Sequence, residues 1–251
     1  GLVGSEMCIR DSSGVQLDPE RPSRIVLVRR TVGGERQFQG FAGDRGQGFA
    51  DQALQAPTLS GSARWLLVGT IPLATPAAAA ALRGAVDQAC VRGMAIAVDV
   101  NWRPTFWDAD ADPSAGPPPS ALAAIRPLLE QAALIKLARE EAIWFFGSAQ
   151  AQVISGLLPQ APDVVVTDGA EPVTWCMEGA SGSLAAFRPS DVVDTTGAGD
   201  AFTAGLLHCW DLPPAYRVRF AAGCGALVCS GAGGIDPQPS APEVEAFIAG
   251  A

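Results

Sequence analysis

Asp194-Thr195-Thr196-Gly197-Ala198-Gly199-Asp200 runs straight into Ala201-Phe202-Thr203-Ala204-Gly205-Leu206-Leu207. It reads as a glycine turn feeding an apolar helix, with a carboxylate at the junction. Gly197 and Gly199 can take backbone angles closed to other residues and leave no side chain in the way. The first N–H groups of a helix lack internal partners and carry the positive end of its dipole, so they can hold an anion. Asp200 would stand beside such an anion, placed to take a proton from a hydroxyl while a phosphoryl group arrives. Plainer readings exist for the same residues, with Thr196 or Asp200 as ordinary helix caps. A dinucleotide fingerprint fits poorly, because its third glycine position is Phe202. A Walker loop is excluded: no Gly-Lys pair occurs, and Lys136 is the only lysine in the chain.

The chain has 251 residues, 48% of them hydrophobic, which suits one α/β domain with an appendage better than two equal domains. No apolar run reaches the ~18 residues a membrane helix needs, so no membrane partner is expected. The net charge of −9 argues against a nucleic-acid partner, since no basic stripe exists to neutralise a phosphate backbone. Local anion binding is unaffected by that total, because helix N-termini, a metal ion and one or two arginines act at short range. The six cysteines are scattered, without a Cys-x-x-Cys pair or a nearby histidine. A zinc site is not expected, and reduced thiols in a cytoplasmic protein are. His208, the one histidine, lies in the helix after the turn and reads as a packing residue.

Residues 1–13 read as a leader unrelated to the rest of the chain, non-native or disordered. The stretch from Ser5 to Ser12 has the look of translated adapter sequence and lacks the apolar region of a signal peptide. Strands are expected at 24–30 and 36–41, joined at Gly33-Gly34 as a hairpin. A buried strand is expected at 65–69, a helix at 77–92 behind Pro76, and a strand at 95–100. A proline-rich loop then precedes a helix at 122–132, a strand at 133–137 and a helix from Glu140. Strands at 163–167 and 173–177 and helices at 201–210, at 216–229 and after Pro242 complete the chain. Strands alternating with helices from Trp65 onward imply a mostly parallel α/β sheet covered on both faces. In such a sheet, ligands bind beyond the carboxyl ends of the strands.

The string from Asp194 to Asp200, with its apolar helix, resembles the C-terminal signature of the PfkB carbohydrate kinases, the ribokinase-like family. That signature reads Asp-Thr-x-Gly-Ala-Gly-Asp, and every fixed position is present. The resemblance implies a ribokinase-like fold with a partial β lid at 24–51 and ATP-dependent phosphorylation of a sugar hydroxyl. Asp200 would be the base, and the N–H groups of Gly197, Ala198, Gly199 and Asp200 the anion hole. Asp99-Val100-Asn101-Trp102-Arg103-Pro104 resembles the family's Asp-x-Asn-x-Arg-Pro segment, which offers Arg103 to the transferring phosphate; a solvated loop salt bridge is the plainer reading. Lys136-Leu137-Ala138-Arg139-Glu140-Glu141 resembles Lys-x-Asn-x-x-Glu, which offers Glu141 to Mg2+ through water, although Ala138 replaces the usual Asn or Ser. Thr167-Asp168-Gly169 resembles the family's turn at the ATP phosphates, with Pro172 in place of its last glycine; a plain β-turn accounts for it nearly as well. Ala222, Ala226 and the glycine loop around Gly233 would flank the adenine. Asp194 and Thr196, with carbonyls near Gly233, match a region where relatives hold a monovalent cation, here K+.

The lid and the Asn-Trp-Arg-Pro segment look closest to fructokinase-like members, so fructose is the favoured acceptor, with ribose, 2-keto-3-deoxygluconate and nucleosides open. A homodimer through the lid is compatible with the resemblance. The family's opening strand, with its sugar-binding aspartate, and its Gly-Gly motif are not found before Arg24. The single domain at 14–251 is therefore expected to be N-terminally shortened and a poor catalyst. The alternative is an impaired kinase fold serving as a nucleotide-binding or scaffold module, motivated by Ala138 and Pro172.

Overall fold

The computed structural model describes residues 15–30, 36–42, 48–59 and 62–250. The expected leader at 1–13 and the Gly33-Gly34 turn lie outside the described residues. β1 (Ile25–Arg30) and β2 (Arg36–Ala42) form a separate antiparallel ribbon with an irregularity between Leu27 and Val28. At its root Arg24 stacks between the rings of Phe49, at 4.1 Å, and Phe106, at 4.3 Å. Its guanidinium also meets the Asp51 carboxylate at 3.2 Å.

The main sheet places β3 (Trp65–Gly69), β4 (Ala95–Asp99), β5 (Leu134–Ala138), β6 (Asp163–Asp168), β7 (Glu171–Met177) and β8 (Ala180–Leu184) side by side in chain order. The first four run parallel, and β7 and β8 return antiparallel. Helix α1 (Pro76–Val91) links β3 to β4, and α2 (Pro104–Trp107) and α3 (Pro119–Gln131) link β4 to β5. Helices α4 (Arg139–Phe146) and α5 (Ala151–Gly156) link β5 to β6. After β8 come α6 (Ala198–His208), α7 (Pro214–Val228) and α8 (Ala241–Ala249).

The two-residue period of a strand divides the core between the faces. Ile96, Val98, Ile135, Leu137, Val164 and Val166 pack with α1, α3 and α5. Their alternates Ala97, Leu134 and Val165 pack with Phe202 and Leu206 of α6 and Val218 and Ala221 of α7. The expected mostly parallel sheet with helices on both faces is thus present. One strand differs from its reading: among the described residues β3 forms an edge of the sheet, and Leu67 is 46% exposed. His208 stacks on Phe220 at 5.7 Å between centroids, as a packing residue does. No helix among the described residues is long and apolar enough to cross a membrane.

Candidate active site

The same period that sorts the core turns polar at the carboxyl ends of the central strands. Asp99 follows Ala97 by two and Lys136 follows Leu134 by two, so both charged side chains face α6 rather than solvent. They are register partners across β4 and β5. Lys136 Nζ donates to both carboxylate oxygens of Asp99, at 3.2 and 3.1 Å, and both residues are buried. Thr203 of α6 lies over the pair, its hydroxyl 3.2 Å from Asp99 Oδ2 and 3.0 Å from the Gly199 carbonyl oxygen. A Cβ built on Gly199 would stand 2.9 Å from Lys136 Nζ. The start of α6 is therefore seated on a buried ion pair at the strand ends.

Gly197 caps α6 at φ 82°, in the left-handed region that glycine adopts without strain. Its Cα side faces the loop after α7: an added Cβ would lie 2.8 Å from Gly234 Cα. Asp194 ties that loop down, accepting the Thr196 N–H on Oδ1 and the Gly233 N–H on Oδ2, each at 3.0 Å. Asp194, Thr196 and Gly233 are thus brought together, in the first instance as a backbone staple. Asp200 sits in the first turn of α6, exposed, with no side-chain hydrogen bond or ion pair among the described residues. An unengaged carboxylate there can reach an incoming proton.

Glu141, in the first turn of α4, is buried and bonded to two loops at once. Its Oε1 accepts the Trp102 N–H at 2.6 Å and its Oε2 the Ala138 N–H at 2.8 Å. Burial pushes its carboxyl above the ordinary range, against the pull of those two N–H groups and of Lys136. Asn101, at φ 44°, makes the sharp turn that aims the Trp102 N–H at Glu141. Trp102 is buried and donates from Nε1 to the Ala115 carbonyl at 2.8 Å. Arg103 is half-buried at the head of α2 and donates to the Trp102 carbonyl at 2.7 Å.

Thr167 is the register partner of Ala138, so it ends its strand beside the Glu141 turn. Gly169, at φ 55°, makes the tight β6–β7 connection, and Asp168 pairs with Arg139 at 3.4 Å. Ala222 and Ala226 are buried against α6, with Gly225 between them 3.1 Å (as a built Cβ) from the Ala198 carbonyl. No cluster of three or more metal-ligating side chains occurs among the described residues. Each Glu141 carboxylate oxygen accepts one N–H and so keeps a lone pair, which leaves the group able to accept a further donor such as water.

Residues 11–241 match the description pfkB family carbohydrate kinase. The chain belongs to the PfkB carbohydrate kinases. It is 28% identical over 245 residues to a fructokinase of Vibrio alginolyticus, covering 92% of this chain and 75% of the relative. It is 30% identical over 209 residues to a fructokinase of Salmonella typhimurium, covering 78% and 62%. The chain therefore spans between about three fifths and three quarters of these two relatives' lengths. The crystal structure of Vibrio cholerae O395 fructokinase, in a fructose-, ADP- and calcium-bound form, superposes with a TM-score of 0.80 at 27% identity, covering 98% of this chain and 79% of that one. The ribokinase-like fold expected from the signature is the observed one.

Sequence reasoning singled out the signature turn, Arg103, Glu141 and the Thr167 turn, and the PfkB fold gathers them at one end of the sheet. It gave no role to Asp99, Lys136 or Thr203. For Asp99 and Lys136 the signal was present: two charges at strand positions whose alternates are apolar on both sides.

Proposed function

We propose that the chain is an ATP-dependent sugar kinase acting on fructose or a closely similar sugar. The observation that carries the reading is Asp200, an unengaged carboxylate in the first turn of a helix whose start is seated at the strand carboxyl ends. Asp200 takes the proton of the acceptor hydroxyl as that oxygen attacks the terminal phosphorus of ATP, and ADP leaves. The N–H groups at 197–200 face the charge on the transferring phosphoryl, where fixed donors lower the barrier most. Arg103 supplies a planar cation to the same group. Thr167 and Gly169 border the nucleotide phosphates. The Gly233 loop, with Ala222 and Ala226, takes the adenine.

Glu141 would hold Mg2+ through water, and the ion would supply screening of the phosphate charge. The Asp194–Thr196 staple is also the proposed K+ position. The β1–β2 ribbon is the lid over the acceptor, appended to a single α/β domain. Because it pairs with no other strand among the described residues, its free edges suit a homodimer through the lid. No disulfide joins the five described cysteines, which suits a reducing, cytoplasmic setting.

The test is sugar-dependent ADP release across fructose, ribose, 2-keto-3-deoxygluconate and nucleosides, with Asp200→Asn beside it. Fructose should give the highest kcat/KM, and the variant should lose about 10²–10⁴-fold in kcat. Turnover by the variant near the wild-type rate would remove Asp200 from the role.

A further inference from the structure

A buried ion pair is an unusual object to place under a helix. Taking two charges out of water is unfavourable by several kcal/mol per ion, and an apolar pair of similar volume serves stability as well or better. Here the neighbours on the same face are Ala97, Leu134 and Val165, so an apolar continuation would have completed the core. Instead Asp99 holds the only lysine of the chain by both carboxylate oxygens. Two ammonium protons serve Asp99; the third has no partner among the described residues, and Nζ lies against Gly199. The approach depends on Gly199 lacking a side chain, since a Cβ would crowd Nζ at 2.9 Å. Thr203 links the pair to the same turn, its single proton serving either Asp99 or the Gly199 carbonyl.

Resting on the kinase reading above, we propose that Lys136 is a positioning residue for phosphoryl transfer. Clamped by Asp99, it sets the first turn of α6 through Gly199 and presents that turn with the positive end of the pair. Charge fixed in a dry site needs no rearrangement as the phosphoryl charge redistributes, so its effect falls on kcat more than on KM.

Removing Lys136 alone would strand Asp99, so the test uses Asp99→Asn/Lys136→Met, which removes both charges. Gly199→Ala is a second variant that keeps both charges and displaces the ammonium. Both should melt near the wild type. Each should lose about tenfold or more in kcat with KM for ATP and sugar changed less than about threefold. A third readout does not depend on turnover. Amide exchange at 201–203, where the Ala201 N–H bonds the Gly197 carbonyl, should quicken in both variants while β6 amides stay unchanged. Wild-type protein that neither binds ATP nor releases ADP with any sugar overturns the kinase reading, and the exchange measurement then decides the positioning role by itself. Active wild type with either folded variant within threefold in kcat, or unaltered exchange at 201–203, overturns the proposal for Lys136. If the double variant does not fold, Gly199→Ala decides it.

Discussion

Gly197, in the left-handed region, meets Gly234 back to back where the signature turn touches the loop after α7, whereas the left-handed Gly169 and Gly233 have open space around a built Cβ. Gly197 carries φ 82° and a Cβ there would collide with Gly234 Cα, a backbone atom that cannot rotate away. Gly169 also has a positive φ, 55°, but a Cβ there meets nothing within 4 Å. Alanine at Gly169 therefore brings only the left-handed penalty, about 1–2 kcal/mol. Alanine at Gly197 adds overpacking against backbone, for a total of about 2–4 kcal/mol. Urea denaturation of the two variants separates these terms. Equal losses would mean that the Gly197–Gly234 approach does not constrain the turn. The same contact predicts that Gly197→Ala weakens nucleotide binding and Gly169→Ala does so less, since only the first moves both the proposed anion hole and the loop that faces it.

At the scale of elements, Glu141 is the tie between the β4–α2 loop and the β5–α4 turn. Its raised carboxyl titration gives the tie a pH dependence. Between the ordinary carboxylate range and the raised value, the folded chain binds more protons at this site than the unfolded chain. The contribution of this group to stability therefore falls as pH rises through that window. Glu141→Gln removes the titration and leaves one of the two N–H groups facing an amide NH2, a loss of about 1–3 kcal/mol at neutral pH. The stability gap between wild type and variant should widen as pH is lowered from 7 toward 5, followed by chemical denaturation at each pH. A gap independent of pH would show that Glu141 titrates alike in the folded and unfolded chains. The tie also marks the boundary of what sequence could show. The long elements were legible, because hydrophobic period and Pro76-type starts are local properties. Helix α2, helix α5 and strand β8 were not: each has six residues or fewer and takes its shape from packing, as Ile154 does by filling the β6 side of the core. The head of α6 begins at Ala198 rather than 201, since the glycines that look like a loop are its cap and first turn. Glu141 was legible as a residue. Its Trp102 partner was not, because it lies 39 positions away.

For the whole molecule, the question is whether the layers on the two faces of the sheet come apart together. β4, β5 and β6 send alternate side chains into both cores, so neither layer can leave without exposing strands that the other needs. Cooperative unfolding is the consequence, and the cysteines can report it. Cys90 is exposed on α1, whereas Cys209 and Cys224 are buried among α6, α7 and α8. Burial pushes the Cys224 thiol up to about 11 and Cys209 upward as well. The thiolate is the reactive form, so at pH 8 the native chain presents Cys224 as an inert thiol. A thiol reagent followed by peptide mass analysis should label Cys90 in the native state at once. Cys224 should label only through opening, with a urea dependence equal to that of global unfolding. A shallower dependence at Cys224 would mean that the α6–α8 layer opens by itself. Since the head of α6 carries Asp200 and rests on Lys136, such a layer would take the proposed base with it. Cooperativity across the sheet is thus what keeps the carboxylate and the strand-end charges in one geometry.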